Sequence, residues 1–320
     1  MDRRTFLATT AALTSTMGRE TGAPLPRAPR TLPMSRISSA GTRLILLGTA
    51  GGPRPHTTRS APAQVVVVNG AAYVIDCGNC VARQLVAAGV PLRTIRSVLV
   101  THHHSDHNAD YGTLLLLGWT AGLTTPVDTW GPPPLQRITD AFFEMSATDI
   151  DARMQDEGRP DLRPLIHAHE LHAGGRVFED SNVKVTAAVV DHPPLNPAFA
   201  YRVDAADRSV VISGDTRPSD AVAALARGAD VLVHEAMMPS AVDRLVASVP
   251  NASDLRRSIL SHHTTAEEAG QVAQAAGVGT LALSHLVPAE DPSVPDDAWV
   301  EAARRHFRGR VLLGRDLLEV

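Results

Sequence analysis

The chain has 320 residues, of which 44% are hydrophobic, with 30 Lys and Arg against 34 Asp and Glu. A chain of this size can bury a substantial core, as one large domain or as two. The formal net charge of −4 argues against nucleic acid as the main partner, because a protein that follows a phosphate backbone usually displays a basic stripe.

The first 42 residues are predicted to lie outside the fold. Arg3 and Arg4 precede a weakly apolar stretch at 8–17 that resembles a twin-arginine export signal. Four prolines in residues 18–42 indicate a linker. The apolar stretch is too short and polar to act as a stable membrane anchor. We therefore expect a periplasmic or secreted protein, with an ordinary disordered basic tail as the alternative.

Residues 43–320 show an α/β alternation. Strands are predicted at 43–47, 63–69, 72–75, 97–100, 183–190, 198–203, 209–213, 231–235, 280–284, 310–313 and 317–320. Helices are predicted at 80–88, 110–117, 221–226, 265–276 and 295–306. Two mixed sheets, each covered on its outer face by helices, satisfy this order.

A histidine-rich segment follows the apolar run at 95–100. His102 to His107 reads His-His-His-Ser-Asp-His. His102 and His104 are two residues apart, so they project to the same side of an extended turn. Neutral imidazole and carboxylate are ligands that Zn²⁺ prefers, and catalytic sites keep one position open for water. The alternative is a solvated polar loop that is rich in histidine.

Three later strands supply further ligand types where they end. His192 follows the run at 185–190, Asp215 follows 210–213, and His285 follows 280–284. Strand ends of this kind are where α/β folds place their chemistry. Either histidine alone is more often a surface or core residue, but together with the first cluster they indicate one metal site.

This ordered set resembles the metallo-β-lactamase-fold hydrolases, whose pattern is His-x-His-x-Asp-His, then a single His, Asp and His. Within them the sequence is similar to the branch that holds ribonuclease Z and the zinc-dependent arylsulfatases. Residues 46–53 (LLGTAGGP), 73–78 (YVIDCG) and 263–269 (HTTAEEA) carry that likeness. The resemblance covers residues 43–320 and implies an α/β fold, a four-layer αββα sandwich.

The resemblance also implies a role for each matching residue. One zinc ion would be held by His102, His104 and His192, the other by Asp106, His107 and His285, with Asp215 bridging them. Two such cations lower the pKa of a shared water from about 15.7 toward about 7, which supplies a bridging hydroxide. Mn²⁺ or Fe could occupy the same ligands.

A proton-handling pair is implied as well. His263 would face the scissile group while Glu235 orients its ring, because a carboxylate on one ring nitrogen raises the basicity of the other. Asp106, His263 and Glu235 are thus the expected catalytic residues. The alternative is that Glu235 caps a helix and His263 only packs, and the adjacent His262 and His234 complicate the assignment.

Residues 124–178 are predicted to be a helical insertion that roofs the site, with Phe142, Phe143, Met145 and Met154 as candidate lining residues. The glycine-rich basic arm of ribonuclease Z is absent from this segment, which argues against tRNA as the substrate. Cys77 and Cys80 are either free thiols or a disulfide. The sequence does not decide between a monomer and a homodimer.

The leading hypothesis is an exported binuclear zinc hydrolase that cleaves a small anionic ester, an aryl sulfate or a phosphodiester. The alternatives are a ribonuclease Z-like phosphodiesterase acting on RNA, and a hydrolase of β-lactams or lactones. A metal-binding module without catalysis is disfavoured, since a structural zinc site would be a closed tetrahedron.

Overall fold

A computed structural model describes residues 41–320, so the predicted export signal and nearly all of the linker lie outside the described residues. The strands are β1 (Arg43–Gly48), β2 (Ala63–Val68), β3 (Ala71–Ile75), β4 (Ile95–Leu99), β5 (Val127–Gly131), β6 (Ile166–Glu170), β7 (Gly175–Glu179), β8 (Val183–His192), β9 (Leu195–Ala205), β10 (Ser209–Ile212), β11 (Val231–Met237), β12 (Thr280–Val287), β13 (Arg310–Leu313) and β14 (Leu318–Glu319). The α-helices are α1 (Val81–Ala87), α2 (Ser105–Asn108), α3 (Tyr111–Thr120), α4 (Leu135–Glu157), α5 (Asp220–Leu225), α6 (Pro239–Ala247), α7 (Leu255–His262), α8 (Ala266–Ala276) and α9 (Asp296–Arg304).

The strands form two seven-stranded mixed sheets. The first sheet has the order β14-β1-β2-β3-β4-β5-β6, and the second has the order β13-β12-β11-β10-β9-β8-β7. In the first sheet β3 to β6 are parallel, and in the second β10 to β13 are parallel. Most segments that build the site lie at the carboxyl ends of these parallel strands, and the carboxyl end of the antiparallel β8 adds one more.

The central strands are buried on both faces, which explains their continuous apolar runs. In β2, Val65 and Val67 pack with the helices outside the first sheet, while Val66 and Val68 face the second sheet. Successive side chains of a strand point to opposite faces, so a run of valines serves both cores at once. β-Branched residues also favour this extended backbone.

Three large apolar clusters separate four layers. The middle cluster joins the two sheets and contains Tyr73 and Leu99 from the first and Phe199 and Val233 from the second. The outer clusters lie between each sheet and its helices: α1, α3 and α4 on the first sheet, and α5, α8 and α9 on the second. The fold is therefore the four-layer αββα sandwich that the sequence predicts.

Residues 124–178 differ from their predicted position. They form β5, one continuous helix α4, β6 and β7, and α4 buries Leu135 and Ile150 in the outer core of the first sheet. Phe143 and Met154 pack against that same core, while Met145 is 75% exposed. The apolar stripe of α4 thus covers the first sheet, and no residue of α4 lines the two cavities that adjoin the predicted metal ligands.

Helices α6 and α7 are absent from the sequence-based prediction. They pack against each other with a small core of their own, in which Val242 and Ile259 are buried.

In the part of the chain that the structure describes, every helix is too short or too polar to cross a membrane.

Candidate metal centre

The predicted ligands meet at the edge of the sandwich where strands of both sheets end. His102 to His107 follow β4 and include α2, so they come from the first sheet. His192 ends β8, Asp215 follows β10 and His285 lies in β12, all from the second sheet. Six of the seven predicted ligands are buried and His104 is half-buried. The two sheets therefore supply the two halves of one polar cluster.

The first group consists of His102, His104, His192 and Asp215, whose ligand atoms all lie within 4.8 Å of one another. His104 Nδ1 is 3.1 Å from both His102 Nε2 and His192 Nε2. His192 Nδ1 donates to the backbone oxygen of His262 at 3.2 Å, which leaves its Nε2 as a lone-pair donor. Three ring nitrogens that converge in this way suit a shared cation.

The second group consists of Asp106, His107, His285 and again Asp215. His285 Nε2 lies 3.3 Å from Asp106 Oδ2 and 3.1 Å from Asp215 Oδ2. His107 Nε2 lies 3.2 Å from Asp215 Oδ1. Asp215 Oδ2 also lies 3.8 Å from His102 Nε2 and 3.9 Å from His192 Nε2 of the first group, so Asp215 is the residue that the two groups share.

Two buried polar atoms test whether these residues fit a metal. His107 Nε2 and Asp215 Oδ1 have no hydrogen-bond partner among the described residues, although they are 3.2 Å apart. An unpaired buried polar atom costs about 1–3 kcal/mol, so such atoms are rare without a reason. A cation between them satisfies both, and the nitrogen and oxygen donors match the ligands of zinc. The residues fit a metal.

The electrostatics of the cluster keep its carboxylates ionised. Burial raises the pKa of Asp106, but the neighbouring His107 and His285 outweigh it and bring that pKa down to about 2. The pKa of Asp215 is also well below its usual range, since His285 and His107 outweigh the effect of burial. Both carboxylates are therefore anionic at neutral pH, which is the state that binds a cation.

Asp76 is a functional residue that the sequence reasoning did not assign. Its Oδ2 lies 2.8 Å from His107 Nδ1, and its carboxylate also accepts from Thr101 N at 2.8 Å and Thr101 Oγ1 at 3.0 Å. This contact holds the ring of His107 with Nε2 aimed at the second group. Its only mark in the sequence is its place directly after the apolar run of the YVIDCG motif.

His263 and Glu235 form a direct pair. His263 Nδ1 lies 2.8 Å from Glu235 Oε2, while Glu235 Oε1 accepts from Thr216 N at 2.6 Å. Burial lowers the pKa of His263, but the charge and hydrogen bond of Glu235 outweigh it and raise that pKa. The neighbouring histidines have other partners: His262 contacts Ser258, and His234 contacts a backbone oxygen.

Other candidates from the sequence lie apart from the ligand groups. His103 Nε2 donates to the backbone oxygen of Pro132 at 2.7 Å, and its Nδ1 contacts Asn108. Cys77 is a buried free thiol and Cys80 is a partly exposed one. His103 thus holds the loop after β5 and takes no part in either group.

Glycine at position 51 is required by a close approach to the cluster. A Cβ there would lie 2.7 Å from His285 Nδ1 and 2.5 Å from Val287 Cγ2. His285 itself has φ 43°, an uncommon backbone conformation for a residue with a side chain. The turn after β1 therefore holds His285 from one side.

Two cavities adjoin the ligand groups and share five lining residues: Pro53, Arg54, His56, Ser105 and Asp106. The first, here the aliphatic cavity, has a volume of about 400 Å³ and extends between the cluster and the α6–α7 hairpin. The second, here the arginine cavity, has a volume of about 360 Å³ and is bordered by Arg54, Arg59 and Arg83. The cluster therefore lies at the bottom of a surface that is apolar on one side and cationic on the other.

Curated relatives match nearly the whole chain. Ribonuclease Z of Mycobacterium bovis (strain BCG / Pasteur 1173P2) is 34% identical over 280 residues, which is 87% of this chain and 97% of that protein. Ribonuclease Z of Mycobacterium sp. (strain KMS) is 37% identical over 279 residues, which is 86% of this chain and 94% of that protein.

These relatives correct one expectation from composition. The inference against nucleic acid as a partner is wrong, because the relatives are named as ribonucleases. The net charge of −4 averages over all 320 residues, whereas association depends on the local field of the surface that meets the partner. Arg54, Arg59 and Arg83 line the arginine cavity beside the cluster, a local group of positive charges that the overall net charge does not reveal.

Family and fold comparisons agree with this likeness. A family model described as "Beta-lactamase superfamily domain" matches residues 71–286. The fold is similar to that of human tRNase Z, short form, with a TM-score of 0.62 and 22% identity over 87% of this chain and 98% of that one. It is also similar to the metallo-β-lactamase fold protein YhfI from Bacillus subtilis, with a TM-score of 0.64 and 20% identity over 87% and 98%. The chain belongs to the metallo-β-lactamase-fold hydrolases, in the branch that holds ribonuclease Z.

Proposed function

We propose that this protein is a metal-dependent phosphodiesterase that cleaves RNA, of the ribonuclease Z type. The observation that carries the proposal is the identity of 34% or more to ribonucleases Z along almost the full length of both chains. The small-ester hypothesis from the sequence is replaced as the first choice for this reason.

The cofactor of the proposed enzyme is two zinc ions per chain. His102, His104 and His192 would hold one, Asp106, His107 and His285 the other, and Asp215 would belong to both. When bound, such a pair supplies a nucleophile at neutral pH and positive charge beside the phosphate. Asp76 contributes by fixing the ring of His107.

His263 would hand a proton to the oxygen that leaves the phosphorus. Its Nδ1 is occupied by Glu235, so Nε2 is the nitrogen that remains for the substrate, and His263 lines the aliphatic cavity next to Asp215. Glu235 is buried and fixes the tautomer through this contact. The raised pKa of His263 favours the protonated ring, which is the form that can donate a proton in this step.

The experiment is a cleavage assay on RNA that carries a single-stranded 3′ extension. The same protein is tested on an aryl sulfate, a bis-aryl phosphodiester and a β-lactam. We expect RNA cleavage that is lost on chelation and restored by zinc, and lost in Asp215→Ala but kept in His103→Ala. Sulfate or lactam hydrolysis without RNA cleavage would remove the proposal.

A second candidate function is hydrolysis of a small aryl phosphodiester or aryl sulfate. The aliphatic lining of the first cavity favours it, since apolar pockets with few polar groups are typical of small-molecule sites. The ratio of kcat/KM for RNA to that for the bis-aryl phosphodiester decides between the two functions. A ratio below one would favour the small substrate.

A further inference from the structure

The aliphatic cavity lies directly beside the ligand groups. Its inner wall contains His104, Asp106, Asp215, His263 and His285. A phosphodiester whose phosphorus sits over Asp106 and Asp215 therefore has one of its two substituents at the mouth of this cavity. What the cavity accepts determines which group adjoins the scissile bond.

The outer wall is built from aliphatic side chains. They come from the α6–α7 hairpin and the end of β12 and comprise Leu245, Val249, Ala252, Leu255, Ile259, Val287 and Pro288. Leu245, Val249 and Leu255 are half-buried, so part of their apolar surface faces the cavity. Covering such surface stabilises a complex by about 25 cal/mol per Å².

The polar side chains of the outer wall are few. Asn251 and Ser258 are uncharged, and Arg54 and His56 line the cavity on the side of the segment 53–60, where Arg54 Nη1 donates to Ser248 at 2.8 Å. A phosphate placed among the aliphatic side chains would lose its hydration without gaining a partner, which is costly. An uncharged planar group with hydrogen-bonding edges suits the aliphatic wall. The phosphate attached to such a group suits the side of the cavity that carries Arg54.

We propose that the aliphatic cavity holds the base of the nucleotide that adjoins the scissile phosphate, with the α6–α7 hairpin as the element that selects it. This inference rests on the proposed RNA-cleaving function and adds where a base binds. A volume of about 400 Å³ is in the range of small-ligand sites and exceeds one base. Asn251 and Ser258 are then the residues that contact the base edges.

The test combines a protein variant in which a larger side chain fills the cavity with an RNA substrate that lacks one base. Ala252 lines the cavity and is half-buried, whereas Ala247 is exposed on α6, so Ala252→Phe fills the site and Ala247→Phe is its matched control. Each protein is assayed on the RNA with a 3′ extension and on the same RNA with an abasic residue on either side of the cut. Melting temperature and zinc content are measured for both variants.

We expect Ala252→Phe to lower kcat/KM on the intact RNA by roughly 10- to 100-fold, the range that one apolar contact in a pocket supports. On RNA that lacks the base proposed to occupy the cavity, the kcat/KM of the wild type should fall by a similar factor. Ala252→Phe should then lower kcat/KM little further on that RNA. Ala247→Phe should match the wild type on every RNA. If Ala252→Phe does not fold, Val249→Phe is the second variant at the same wall.

Two failures are distinguishable. RNA cleavage that is equally fast with and without the base at both flanks, or a loss from Ala252→Phe that is the same on abasic RNA, overturns the cavity assignment while the proposed function stands. No RNA cleavage by the zinc-loaded wild type overturns the proposed function and the base site together.

Discussion

At the scale of single residues, the contact between His263 and Glu235 distinguishes His263 from the metal ligands. His263 Nδ1 is 3.9 Å from Asp215 Oδ2 but 2.8 Å from Glu235 Oε2. Its first partner is therefore a buried carboxylate outside the seven predicted ligands. Such a ring is oriented by one nitrogen and free to exchange a proton at the other.

We predict that His263→Ala lowers kcat by roughly 10²–10⁴-fold while zinc content is unchanged. The loss should be greater for RNA than for a bis-nitrophenyl phosphodiester, because nitrophenolate departs without protonation. Glu235→Gln should give a smaller defect, and the double variant should be little worse than His263→Ala alone. The measurement is kcat on both substrates.

His262→Ala is the matched control. The adjacent residue contributes its backbone oxygen to His192, which alanine keeps, so His262→Ala should retain most activity. An identical loss for good and poor leaving groups in His263→Ala would assign His263 to substrate binding instead of proton transfer.

The sequence predicts ligand candidates well and their supporting contacts poorly. His102, His192 and Asp215 follow apolar strands, and strand ends gather at sheet edges, so their proximity could be predicted without coordinates. Asp76 could not, because its contact with His107 depends on the parallel pairing of β3 with β4. A carboxylate at a strand end carries no sequence mark of the ring that it will hold.

At the scale of elements, the main differences concern helices. The stripe of α4 has the spacing of an amphipathic helix, but spacing alone does not say which sheet face it covers. Helices α6 and α7 are short and separated by a polar turn with Pro250, so their pattern is weak in sequence. They nevertheless form the outer wall of the aliphatic cavity.

The middle of the segment 53–60, which carries Arg54 and His56, is attached to the body by the carboxylate of Glu290. Glu290 accepts from Thr57 N and Oγ1 at 3.3 and 3.1 Å, and from Thr58 N and Oγ1 at 2.7 and 2.6 Å. Burial raises the pKa of Glu290, but these hydrogen bonds outweigh it and lower that pKa to about 2. The ionised carboxylate is therefore the form that holds the segment.

We predict a pH-dependent stability difference between wild type and Glu290→Gln. A carboxylate with a lowered pKa contributes stability that is present above its unfolded value near 4.5 and lost as the pH falls toward about 2. Urea unfolding at fixed zinc should show a constant difference from pH 7 to about 5, and a shrinking one below 4.5. The exposed Glu301→Gln is the control, and a difference that grows on acidification would contradict the assignment.

At the scale of the whole molecule, the export signal remains a proposal about residues 1–42. A reporter that must fold before export, fused to this segment, should reach the periplasm. Replacing both Arg3 and Arg4 by lysine should leave it in the cytoplasm, because the paired arginines are the feature that the twin-arginine route reads. Unchanged export of the double variant would remove the twin-arginine assignment.

The candidate ligands connect the two sheets across the open edge of the sandwich. His102, His104, Asp106 and His107 come from the first sheet, and His192, Asp215 and His285 come from the second. Ions bound there join the two sheets, and a ligand that binds only the folded state stabilises it by about 4 kcal/mol at a thousandfold excess over Kd.

We therefore predict that chelation lowers the melting temperature by roughly 10 °C, since about 1 kcal/mol corresponds to roughly 2–4 °C in a protein of this size class.

The metal-loaded protein should contain two zinc ions per chain, and Asp215→Ala should lose at least one, because each group loses its shared carboxylate. His103→Ala, whose ring faces Pro132, should keep both ions and the full response to chelation. A single zinc ion in fully active protein would contradict the sharing of Asp215. An unchanged melting temperature after complete metal removal would show that the apolar core between the sheets suffices to hold them together.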